Sequence, residues 1–83
     1  MIIKIKEDTP IMEALLFDDS NIEEVKKFIP KEYEFENGRL IKKNSFSVKL
    51  TKGWYLVKDV DGTLFELSKE EIMLNYEVLE NGN

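Results

Sequence analysis

Acidic side chains come first among the residues that could do chemistry. Glu13 stands in Ile11-Met-Glu-Ala-Leu-Leu-Phe17, a run that is otherwise apolar. A carboxylate drawn into such a run is a candidate for a raised pKa and for proton transfer. The plainer reading is a Glu at a sheet rim, tied to a lysine or a backbone amide. Asp18-Asp19 with Glu23-Glu24 gathers four acids in one short stretch. Their spacing does not match a calcium loop, whose oxygen ligands alternate around a glycine. A solvated helix start fits them better, and Glu70-Glu71 reads the same way. No acid pair has a spacing that points to acid–base or glycoside chemistry.

The aromatic residues are the second group. Trp54-Tyr55, with Lys58 and Lys49 nearby, could stack a nucleotide ring while a lysine meets its phosphate. Neighbouring strand residues face opposite ways, so Trp54 and Tyr55 cannot both enter one core face. One of the two is expected at the surface, where Trp and Tyr suit the centre of a protein contact. Trp54, Tyr55, Lys58 and Glu13 are therefore the candidate binding residues.

No residue stands out as catalytic. The chain has no Cys and no His. That removes thiol nucleophiles, disulfides, thiolate metal sites, the commonest general base and the usual zinc ligand. We expect a non-enzymatic protein with no cofactor and no metal. Net charge is −5, which disfavours direct binding to nucleic acid or to an anionic membrane. It is compatible with a basic protein partner, and with simple solubility. The apolar run at the amino end is too short for a signal peptide, and no window approaches a membrane span. A cytoplasmic protein is expected.

These residues must be positioned by a small fold. With 83 residues, of which 42% are hydrophobic, one domain with a modest core is expected, and dimerisation would add stability. Residues 2–6 alternate as a short edge strand. Residues 11–17 allow two readings. Thr9 and Pro10 could open a helix. As a strand, the segment puts Met12, Ala14 and Leu16 on one face, and Ile11, Glu13, Leu15 and Phe17 on the other. Such a strand belongs at the centre of a sheet. Ser20-Asn-Ile-Glu23 reads as a capping box for a helix over 20–29, with Ile22, Val25, Phe28 and Ile29 as its buried stripe. Pro30 stops it.

Asn37-Gly38 predicts a type I′ hairpin that sets Glu36 opposite Arg39 and Phe35 opposite Leu40. Residues 45–51 alternate, with Phe46, Val48 and Leu50 inward, and Lys52-Gly53 turns the chain. Asp61-Gly62 predicts a second two-residue turn. It pairs Val60 with Thr63, Lys58 with Phe65 and Leu56 with Leu67, placing Trp54, Leu56, Val60, Phe65 and Leu67 on one face. Ser68-Lys-Glu-Glu71 is a second capping box, for a helical turn over 69–74. Residues 76–79 resume a strand, and Asn81-Gly-Asn83 should fray.

Two segments resemble a family of small phage and prophage proteins. The first is Pro10-Ile11-Met12-Glu13-Ala14 with Phe17, followed by a capped helix matched by Asn21–Phe28. The second is Lys52-Gly53-Trp54-Tyr55-Leu56-Val57 with Gly62, Phe65, Ile72 and Tyr76-Glu77. The family pattern has a Pro-Gly-Asp-aromatic motif, so Lys52 replaces its Pro and Trp54 its Asp. Residues 31–44 lie outside the likeness and look like an insert. The resemblance implies a bacteriophage gene and an α+β fold, favours a strand over 11–17, and implies no particular activity.

Residues and resemblance together lead us to expect an α+β domain over 1–83. It would have one twisted antiparallel sheet of about five strands, one main helix and a short C-terminal helical turn. The expected role is binding a host or phage protein in the host cytoplasm, modulating or inhibiting a host or anti-phage defence protein. A nucleotide-sequestering module and an assembly protein are the alternatives.

Overall fold

The run after Pro10 is a strand, β2 (Ile11–Leu16). The computed structural model describes residues 2–6, 11–43, 45 and 47–79. Thr9 and Pro10, the connection at Asn44, the inward Phe46 and the tail at 81–83 therefore lie outside the described residues. β2 pairs with β1 (Ile2–Lys6) on one side and β6 (Tyr55–Lys58) on the other. β7 (Leu64–Leu67) and β8 (Glu77–Leu79) complete an antiparallel sheet of order β7-β6-β2-β1-β8. β1 is thus an inner strand rather than the expected edge, because β8 returns along its free side.

Both faces of β2 are used. Leu15 and, just beyond the strand, Phe17 join Leu56 and Leu64 in one buried cluster, covered by Val25 and Phe28 of α1 (Ile22–Phe28). Met12 and Ala14 join Ile5, Val57 and Leu67 in a second cluster, covered by Ile72 of α2 (Lys69–Asn75). Helices therefore lie against opposite faces of the sheet.

The single sheet of about five strands is corrected to eight strands in two sheets among the described residues. β3 (Tyr33–Glu36) and β4 (Arg39–Lys42) form the hairpin at Asn37-Gly38, with φ of 54° and 76° as a type I′ turn requires. Its register matches expectation: Glu36 opposes Arg39 and Phe35 opposes Leu40. The hairpin takes β5 (Ser47–Lys49) as its third strand, in the order β3-β4-β5. Tyr33, Leu40 and Leu50 are buried in the first cluster, and the Phe17 and Phe35 rings meet edge-on at 5.9 Å. The hairpin at 33–42 is thus part of the core wall. Val48, expected inward, is exposed on the outermost strand of this small sheet.

Two local expectations also change. The α1 capping box does not form, because Ser20 donates both its N–H and its hydroxyl to Asp18. Asn21 becomes the N-cap without a side-chain cap bond. The second hairpin slips by one residue: Lys58 opposes Leu64 and Val57 opposes Phe65. Its loop is longer than two residues, closed by Asp59 N–H to Thr63 O and Gly62 N–H to Asp59 O. Since side chains alternate, one step of slip moves the whole set on β7 to the other face. Phe65 and Leu67 now join Tyr55 and Val57, while Val60 is left exposed in the loop. The α2 capping box forms as read, with Ser68 and Glu71 bonding each other's backbone amides.

Leu15 is fully buried on the central strand, so Leu15→Ala removes contacts that the sheet cannot move to replace. A loss of about 2–5 kcal/mol is expected in urea denaturation, a large share of the stability of a domain this small.

Candidate functional site

Trp54 owes its position to an irregularity in the β2–β6 ladder. Phe17 N–H donates to Trp54 O at 3.0 Å, while Phe17 O accepts from Gly53 N–H at 2.7 Å. Two residues, Gly53 and Trp54, therefore oppose one. This is a β-bulge whose first residue is a glycine in the left-handed region, with φ of 88°. The turn before it closes through Trp54 N–H to Thr51 O at 3.1 Å. The extra residue lets the ladder end with Trp54 still 37% exposed, although its chain neighbour Tyr55 packs against the second cluster.

The residues after Phe17 form an acidic turn beside this bulge. Asp18 accepts from Ser20 N–H at 2.9 Å and from the Ser20 hydroxyl at 2.8 Å. The hydroxyl first, then the amide, hold its carboxyl below the usual aspartate value of 3.8. Asn21 ties the turn to β2 by donating to Leu16 O at 2.6 Å and accepting from Asp18 N–H. Asp19 sits at φ of 72° and comes within 4.0 Å of Lys52. Glu23 and Glu24 follow in the first turn of α1. The backbone thus sets the exposed Trp54 beside a turn rich in carboxylates.

The other two candidates form a separate pair. Glu13 and Lys58 are directly opposite on β2 and β6, with Nζ and Oε1 3.7 Å apart. Lys58 also donates to Phe28 O at 2.9 Å and lies 4.5 Å from the Phe28 ring. It neutralises the carbonyl end of α1 while covering an aromatic face. Glu13 is half exposed and lysine-paired, which is the plainer of its two readings. Lys4, Ile11, Asp59 and Val60 join the pair around an open depression of about 450 Å³. Opposite charges balance there and no dominant sign emerges. Lys49 is exposed on β5, opposite Arg39.

The four candidate residues do not form one site. Tyr55 faces the second cluster and Lys58 the opposite side of the sheet. Trp54 belongs with the acidic turn, which the sequence showed only as a charge run. The bulge was missed, although Gly53 next to the sole Trp was its signal. Among the described residues no group of acids is placed to hold a metal ion, and no helix is long and apolar enough to cross a membrane.

Comparison with known proteins returns no matching family model, no curated relative and no similar solved structure.

Two outcomes follow from this geometry. Nothing lies within 4 Å of a side chain built at Gly53, so Gly53→Ala adds only backbone strain. A loss of about 1–2 kcal/mol is expected in thermal unfolding, with a shift in Trp54 emission as the bulge rearranges. The folded pKa of Asp18 is depressed, so its contribution is present above the unfolded value and is lost as pH falls through the folded one. Urea denaturation between about pH 5 and about pH 2 should show a shallower acid loss in Asp18→Asn than in the wild type.

Proposed function

We propose that this is a small non-enzymatic binding protein that docks on the basic surface of another protein through Trp54. The observation that supports the reading is the bulge, which holds the only tryptophan at the surface beside Asp18-Asp19. An indole is the side chain most often found at energetic centres of protein contacts. It can also receive an arginine on its face, for ~0.5–2 kcal/mol depending on desolvation. The neighbouring carboxylates match cations around that anchor, and the net charge of −5 steers a basic partner inward. The resemblance to small phage and prophage proteins extends the proposal. The partner is then a host or phage protein in the host cytoplasm whose action this chain modulates or blocks.

Affinity capture from host lysate, followed by titration of the captured protein, tests the anchor. Trp54→Ala is expected to weaken binding about thirtyfold, the scale of a hot-spot truncation near 2 kcal/mol. Equal affinity of the Trp54→Ala variant and the wild type would falsify the docking role.

A further inference from the structure

A second surface lies along the β3 edge of the small sheet. Its order β3-β4-β5 leaves one side of β3 without a neighbouring strand. In a hairpin closed by a two-residue turn, Glu36 and Arg39 exchange hydrogen bonds while Phe35 and Leu40 do not. The bond from Lys43 N–H to Glu32 O keeps the same alternation. The N–H and C=O of Phe35 therefore point out of the sheet edge, and they meet no partner among the described residues.

This edge is one wall of a groove. Two adjoining depressions of about 470 and 400 Å³ run between α1 and β3 and share Lys26, Glu34 and Phe35. Ile22 and Ile29, at the two ends of the helix, line them in turn. These two residues and Phe35 are only partly buried on the first cluster, so the groove has an apolar floor.

We propose that this groove takes an extended peptide of another protein as an added strand, with basic and apolar residues alternating. Backbone groups on an open edge recognise a strand through its main chain, and alternate side chains carry the specificity. Glu34 and Glu36 are exposed on the outer face of β3, where the added strand presents every second residue. Cations belong there. The intervening residues turn towards Ile22, Phe35 and Ile29, and apolar side chains fit them. Lys26 on the helix side disfavours a cation at those inner positions. The same charges argue against a second copy of this chain. Antiparallel two-fold pairing of β3 with itself sets Glu34 against Glu36, or a Glu against its own mate, which is destabilising.

The test uses two short synthetic peptides, one of alternating Lys and Val and one of alternating Glu and Val, titrated into the full chain. Amide exchange is followed by NMR. The Lys/Val peptide is expected to bind saturably and to slow exchange at the Phe35 amide about tenfold or more. Reversing both charges with Glu34→Lys and Glu36→Lys is expected to weaken it about tenfold. Both positions are exposed, and far-UV circular dichroism checks that the variant stays folded. Trp54→Ala should leave this binding unchanged, which separates it from docking at the bulge. Absence of saturable binding, equal binding of the Glu/Val peptide, or protection confined to amides away from β3 overturns the proposal.

Discussion

Everything in this fold depends on β2 being apolar on both sides. A strand of that kind cannot lie against one layer and leave its other face to water without exposing Met12 and Ala14 or Leu15 and Phe17. Burying both sets requires cover on two faces, and the chain supplies it from different places. α1 and the hairpin that follows it close one face, and α2 closes the other. β1 and β6 flank β2 and satisfy its backbone. The order of elements along the chain follows from that requirement.

Polar contacts then fix positions that apolar packing leaves open. Lys58 is the clearest case. It meets the last carbonyl of α1, the Phe28 ring and Glu13 together. A partly buried ammonium with a backbone acceptor is worth more than an exposed ion pair, so the contact to Phe28 O outweighs the one to Glu13. Thr51 and Glu66 act similarly between the two sheets, through a 2.7 Å bond from the Thr51 amide to the carboxylate. Asp18, Ser20 and Asn21 form a third local fastening, where the acidic turn leaves β2.

Much of this was legible in the sequence, for identifiable reasons. The run at 11–17 left helix and strand open, but as a strand it had to be central; Pro30 ended α1, and Asn37-Gly38 set the first hairpin. The second capping box held, with Ser68 and Glu71 bonding each other's backbone amides and no rival acceptor or donor among the described residues. The first failed because Asp18 offered Ser20 a charged acceptor two residues away, a competition that spacing alone does not reveal. The second hairpin formed, but its expected register did not. Asp61-Gly62 suits a two-residue turn, but a loop one residue longer puts Phe65 and Leu67 with Val57, and packing decided the register. The number of sheets was not readable, because strand patterns do not say which strands pair. The candidate site was readable only as residue types. That Glu13 meets Lys58, and that Trp54 belongs with Asp18-Asp19, both follow from long-range pairing.

The small sheet carries a consequence of its own. β3, β4 and β5 are anchored to the rest through the first cluster, chiefly by Tyr33, Leu40 and, just beyond β5, Leu50. The second cluster takes nothing from them. Opening of this sheet uncovers part of the first cluster but leaves the second intact, so it is a sub-global event whose free energy lies below that of full unfolding. The molecule therefore has a graded stability. Its more easily opened unit carries the free edge, where an incoming strand would find backbone groups ready to rearrange.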